Sequence, residues 1–154
     1  MGMYTELNVS MNLKLDRNTM EVLRVMVGER EMGADIKLPD HLLFKTRAQR
    51  WEFMLMSSSF YFDHTESSSL VNKKSWEEED DMTRILNVRC DLKNYEDEIE
   101  LFLKWIYDYA TTRGFVGYMR YEEDSDPTLI YFTDKGVKYI TVDTKIRNFR
   151  GELI

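Results

Sequence analysis

Leu86-Asn87-Val88-Arg89-Cys90-Asp91-Leu92-Lys93, continuing into Asn94-Tyr95-Glu96-Asp97-Glu98-Ile99-Glu100-Leu101-Phe102-Leu103-Lys104-Trp105-Ile106, reads as a strand running directly into a helix. In its first part, apolar and polar side chains alternate. Cys90 therefore falls on an apolar face, and Asn87, Arg89, Asp91 and Lys93 fall on the other. From Asn94, which is placed to cap a helix, the spacing lengthens: Ile99, Phe102, Leu103, Ile106 and Ala110 form one stripe. A gapless shift of 79 residues lays this stretch over Leu7-Asn8-Val9-Ser10-Met11-Asn12-Leu13-Lys14 and the segment Asp16 to Val27. Leu7/Leu86, Asn8/Asn87, Val9/Val88, Leu13/Leu92, Lys14/Lys93 and Glu21/Glu100 are identical, while Met20/Ile99, Leu23/Phe102 and Val27/Ile106 match in character. The chain is read as two copies of one strand-helix unit.

Composition sets the outer bounds. The 154 residues suit a single domain, and 43% hydrophobic residues with three Trp, nine Tyr and eight Phe can fill a core. Seven Gly and two Pro are too few for a linker-rich or disordered chain. The net charge of -7, from 28 acidic against 21 basic side chains, argues against direct binding to nucleic-acid phosphates. A lone cysteine, Cys90, excludes an internal disulfide, suits a reducing compartment and reads as an inert core thiol. No apolar run approaches the ~18 to 20 residues needed to span a bilayer. The opening Met1-Gly2-Met3-Tyr4-Thr5-Glu6 has neither the basic nor the apolar region of a signal peptide, so the expected location is the cytoplasm, away from membranes.

Along the chain, Leu7, Val9, Met11, Leu13 and Leu15 alternate with Asn8, Ser10, Asn12 and Lys14, the mark of a half-buried strand. Asp16 can cap the following helix, with Met20, Leu23 and Val27 inward and Gly28 as its stop. Residues 29–50 read as a loop tacked down by Leu42, Leu43 and Phe44. Trp51 to Met56 and Phe60-Tyr61-Phe62 read as two strands of a hairpin. Residues 63–81, ending in Glu77-Glu78-Glu79-Asp80-Asp81, read as a solvated acidic connector. In the second half, Glu100 and Lys104 are spaced to pair along the helix, and three strands follow Gly114: Phe115 to Glu122, Thr128 to Thr133 and Val137 to Val142. The expected fold is α+β in a single domain spanning residues 1–154. Two βαββ repeats, residues 4–63 and 83–143, form one largely antiparallel sheet with two helices on one face and an extra C-terminal strand.

If both helices cover one face, the other displays Asn8, Ser10, Asn12, Lys14, Asn87, Arg89, Asp91 and Lys93. Either Tyr118 and Arg120 join them, or, in the other register, Gly117, Met119 and Tyr121 do. Candidate ligand-binding residues are Arg89, Arg120, Tyr118, Tyr121, Asn8 and Asn87, the arginines for anionic or carbonyl groups and the tyrosines for stacking. No catalytic residue, metal or cofactor is assigned. His41 and His64 sit in expected loops, Asp63-His64-Thr65-Glu66 lacks a second His or Cys, and no phosphate loop, H-E-x-x-H or G-x-S-x-G pattern occurs.

Several stretches resemble a family of small uncharacterised proteins seen in phages and prophages. They are Tyr4-Thr5-Glu6-Leu7, Leu38-Pro39-Asp40-His41-Leu42-Leu43-Phe44-Lys45, Arg50-Trp51, Ser58-Ser59-Phe60-Tyr61-Phe62, Asp91-Leu92-Lys93-Asn94-Tyr95-Glu96-x-Glu98-Ile99-Glu100-x-Phe102-Leu103-x-Trp105-Ile106 and Gly117-Tyr118-Met119-Arg120-Tyr121-Glu122-Glu123. That resemblance implies an accessory protein acting in a bacterial host cytoplasm, and it carries over no established activity. The duplicated plan also looks like GyrI-type ligand-binding domains in architecture. The expected function is non-enzymatic binding of a small polar or nucleotide-like ligand, countering host defence, with a homodimer or a host protein as further partner. Two alternatives stand beside it: an acidic inhibitor that presents Glu77, Glu78, Glu79, Asp80 and Asp81 to a basic host factor, and a small hydrolase with a carboxylate site.

Overall fold

A computed structural model describes residues 3–59, 62, 68–72, 79–142, 145 and 147–153. Its elements are β1 (Thr5–Lys14), α1 (Arg17–Met26), β2 (Ser69–Val71), β3 (Thr83–Leu92), α2 (Glu98–Tyr107), β4 (Gly114–Tyr121), β5 (Thr128–Thr133) and β6 (Gly136–Thr141). The strands form one sheet in the order β2-β3-β1-β4-β5-β6, and every neighbouring pair is antiparallel. The architecture is the expected α+β.

The two long strands lie side by side at the centre. All ten residues of β1 pair with β3, from Thr5↔Leu92 to Lys14↔Thr83, with Val9 opposite Val88. Their alternation sends Leu7, Val9, Met11, Leu13, Leu86, Val88, Cys90 and Leu92 into one apolar layer, each no more than 3% exposed. Burial pushes the Cys90 thiol far above its usual range, and Asp91 adds to the rise, so Cys90 is a core side chain and not a nucleophile. α1 covers this layer with Met20, Val22, Leu23, Val25 and Met26. The Asp16 carboxylate accepts from Thr19 N at 2.8 Å and starts the helix. α2 adds Ile99, Phe102, Leu103, Trp105 and Ile106. Asn94 caps α2 across a 3-10 turn, its Oδ1 accepting from Ile99 N at 2.8 Å.

Four local expectations are corrected. Trp51 to Met56 is a turn followed by the 3-10 turn Met54–Met56, not a strand. Its buried residues Trp51, Met54 and Leu55 recur at helical spacing, a pattern that the four successive apolar residues from Phe53 to Met56 conceal. Phe60 and Tyr61 lie outside the described residues, and Phe62 is buried but belongs to no strand. The stretch read as a connector contains β2, which pairs with β3 through Leu70↔Leu86. Glu100 accepts both contacts of the Asn94 amide, at 2.9 and 3.2 Å, and forms no ion pair with Lys104 among the described residues. A near capping partner takes the carboxylate.

Residues 28–57 reach across the helices. Phe44 packs edge-on against both Trp51 and Trp105, with ring centroids 5.1 and 5.0 Å apart. Leu42–Lys45 is a 3-10 turn capped by His41, whose Nδ1 accepts from Leu43 N at 3.1 Å. Only an unprotonated Nδ1 can accept, and burial first, then Lys104, holds the His41 pKa below its ordinary value despite the opposing pull of Asp108.

The β4–β5 ladder shifts register between Phe115 and Gly117. At Gly117, φ is +151° and an added Cβ would stand 2.0 Å from the Asn8 carbonyl oxygen, a backbone atom that cannot step aside. Gly117→Ala is therefore expected to lower unfolding free energy in a denaturant titration by about 2 kcal/mol or more. For His41 the folded pKa is the depressed one, so its stabilising share is present above the unfolded value near ~6.5 and is lost as pH falls through the folded pKa. An NMR titration should place the His41 midpoint below that of an unstructured histidine, and the acid-side loss of stability should shrink in His41→Ala.

Candidate functional site

The face of the sheet turned away from the helices is a lattice of cross-strand rows. The first is Asp91–Glu6–Arg120, and the second is Arg89–Asn8–Tyr118, continuing into Leu129 and Ile140. The third is Ser69–Asn87–Ser10, and the fourth is Val71–Ile85–Asn12. Five of the six candidate ligand-binding residues, Arg89, Arg120, Tyr118, Asn8 and Asn87, thus share this face. Tyr121 does not. It pairs with Thr5, points to the helix side with Met119, and lines a separate cavity beside Tyr95. The β4 register selects Tyr118 and Arg120 and excludes the alternative set.

Shelter falls off along the rows. In the first, Asp91 is 0% and Glu6 3% exposed, so two carboxylates sit buried opposite one another. Each has a partner. Glu6 Oε1 accepts from Arg120 Nε at 3.0 Å, and Asp91 Oδ2 accepts from Ser59 N at 3.1 Å. Phe62, 7% exposed and separate from the main core, lies under Arg120, whose guanidinium carbon is 5.2 Å from the ring centroid. Arg120 is accordingly a structural partner of Glu6. Glu6, Asp91 and Phe62 were not singled out from sequence; Glu6 and Asp91 do occupy polar positions of the strand alternation, which marks their face but not their burial.

The second row is half-buried and differently placed. Arg89 N donates to Ser68 Oγ at 3.2 Å, while its side-chain Nε is buried and has no hydrogen-bond partner among the described residues. A buried donor without an acceptor costs about 1–3 kcal/mol. Asn8 stands next to it in the row, and Tyr118 lies beyond Asn8. The third and fourth rows open into a shallow cavity of about 540 Å³ with Ser10, Asn12, Asn87, Ile85, Val71 and Thr112 around it. Asn87 is held by Ser10 Oγ, at 2.5 Å, and by Ser69 Oγ, at 3.4 Å, so its amide is oriented rather than free to rotate.

The acidic surface of the alternative reading is only partly visible, since Glu77 and Glu78 lie outside the described residues. Asp80 and Asp81 serve local structure. Arg84 grips Asp80 through two contacts of 2.8 Å and holds its carboxyl well below the usual range, while Asp81 Oδ1 accepts from Thr83 N at 3.0 Å and faces Lys14. Among the described residues no cluster of three or more His, Cys, Asp or Glu could hold a metal ion, and no helix is long and apolar enough to cross a membrane. Comparison with protein-family models, with curated proteins and with solved structures finds no match to the chain.

Proposed function

We propose that the open sheet face is a binding surface for a small polar ligand carrying an anionic or carbonyl group and a ring, and that the protein holds this ligand without turning it over. The observation that carries this reading is the buried Nε of Arg89, without a hydrogen-bond partner among the described residues, beside Asn8 and one row from Asn87, which lines the shallow polar cavity. A guanidinium edge recognises a phosphate or carboxylate through paired hydrogen bonds, and such bonds strengthen where water is thinned out. Tyr118 offers a ring for stacking, and the fixed Asn87 amide offers a donor and an acceptor to a base-like edge. A nucleotide-like molecule combines these features. In the bacterial setting that the phage-protein resemblance implies, sequestering a host signalling nucleotide would serve the infecting element.

The acidic-inhibitor alternative has less to stand on, since Asp80 and Asp81 are engaged by Arg84, Lys14 and neighbouring amides. The carboxylate pair Glu6 and Asp91 is what a hydrolase reading would use. Yet both are buried, with Glu6 tied to Arg120 and Asp91 to Ser59, which favours a structural role.

Calorimetric titration with AMP, GMP, cyclic AMP and a cyclic dinucleotide should reveal saturable binding by at least one. Arg89→Ala should weaken it about 10- to 100-fold, the worth of a charge-assisted hydrogen bond, and Arg89→Lys should restore little of it. Unchanged affinity in Arg89→Ala rejects the site. Arg120→Ala should act differently, lowering global stability by about 2 kcal/mol because it strands the Glu6 carboxylate.

A further inference from the structure

A second cavity, of about 330 Å³, lies on the helix side of the sheet. Its walls are Phe53, Met54, Met56 and Leu92, and its polar end is the Arg50–Glu98 pair. Phe53 and Met56 stand at the rim, 63% and 42% exposed, although both are large apolar side chains. Glu98 is the opposite case: a carboxylate only 2% exposed at the first residue of α2. Its Oε1 takes both contacts from Arg50, from Nε at 3.1 Å and from Nη2 at 2.9 Å. Its Oε2 is buried and has no hydrogen-bond partner among the described residues.

The backbone around this pair is held under strain. Glu96 and Asp97, consecutive and neither of them glycine, have φ of +58° and +57°, and Gln49 in the facing loop has φ of +49°. Such residues cost on the order of 1–3 kcal/mol each and persist where surrounding contacts over-determine them. Here the contacts are specific. The Glu96 carboxylate accepts from Arg47 N and Ala48 N, each at 3.1 Å, and Arg50 stacks 5.2 Å from the Tyr95 ring centroid. The result clamps residues 46–50 to the start of α2 and fixes Arg50 on one oxygen of Glu98.

We propose that this cavity is a binding site for an uncharged, largely apolar ring compound that donates one N–H or O–H to Glu98 Oε2. The size fits a one- or two-ring molecule, at the lower end of the ~300–1,000 Å³ usual for ligand pockets. Thioether and aromatic walls favour a flat ring. The Arg50–Glu98 pair is already neutral as a unit, so a cationic ligand would meet the Arg50 charge, whereas a neutral donor satisfies the remaining oxygen without adding charge. Burial pulls the Glu98 pKa up more strongly than Arg50 pulls it down, and a donor on Oε2 relieves the penalty that burial imposes on the carboxylate. The site is separate from the sheet-face reading and does not depend on it.

The test uses the full chain and calorimetric or NMR titration with four probes: indole, N-methylindole, skatole and the cationic tryptamine. Skatole carries its extra methyl on carbon and keeps the N–H, so it controls for size. Indole and skatole should bind saturably with similar affinity, and N-methylindole about tenfold or more weaker, since only it cannot donate. Phe53→Ala, at a mostly exposed side chain, should weaken indole binding, and Arg89→Ala should leave it unchanged. Equal affinity for indole and N-methylindole overturns the proposal. So does the absence of saturable binding at millimolar indole, tryptamine binding more tightly than indole, or indifference of indole binding to Phe53→Ala.

Discussion

The pairing of β1 with β3 is the constraint on which the remaining structure rests. Both strands are ten residues long, paired throughout and interior to the sheet. Eight apolar side chains leave water on one face of this ribbon, each at about 1.5–3 kcal/mol of gross transfer free energy against a comparable loss of chain entropy. A slip by one residue would send Asn8, Arg89 and their neighbours into that layer and its apolar residues into solvent, so the register is strongly specified. Everything outward follows. β3 takes β2 on its far side, β1 takes β4 on its far side, and the single apolar face leaves the helices one place to pack.

The same ribbon has a geometric property tied to the 79-residue offset. Val9 and Val88, matched by that offset, face each other in the ladder, so each pair on one side of them corresponds to a pair on the other. The Asn8–Arg89 pair corresponds to Ser10–Asn87, and the Glu6–Asp91 pair to Asn12–Ile85. What differs between corresponding positions is charge. One end carries Glu6, Asp91 and Arg89, and the other carries Asn12, Ile85 and Ser10, neutral throughout. The charged end is the sheltered one.

How much of this could be read from sequence depended on whether local periodicity and tertiary pairing agreed. They agree in β1, in β3 and in the stripe from Ile99 to Ala110, and there the expected elements appear. They disagree in β4. The irregularity between Phe115 and Gly117 leaves Phe115 beside Tyr131 on the open face while Gly117 faces Val9 on the other. Two residues that simple alternation places together are thereby separated, so alternation alone does not decide between the Tyr118 and Tyr121 faces. In Trp51 to Met56 the reason is different: the four successive apolar residues from Phe53 to Met56 have no period to read. Glu98 was hidden by its position. On a helix wheel it belongs with the acidic first turn, and only the loop carrying Arg50 buries it.

That loop continues into a segment which serves both faces of the sheet. Phe53, Met54 and Met56 wall the helix-side cavity, and Ser57 O then accepts from Asp91 N at the edge of β3 where β2 no longer pairs. Two residues on, Ser59 N donates to the Asp91 side chain, and Phe62 shelters Arg120 on the opposite face. The chain therefore folds around the sheet edge at the point where two β3 side chains, Leu92 and Asp91, face opposite ways. This wrapping answers two demands at once. It satisfies an edge amide that would otherwise be exposed to strand addition, and it shields the Glu6–Arg120 pair from water, which strengthens their attraction while Phe62 offsets part of the desolvation cost. At the other, polar end of the face no such cover is present among the described residues, and the shallow cavity beside Asn12 and Asn87 opens there.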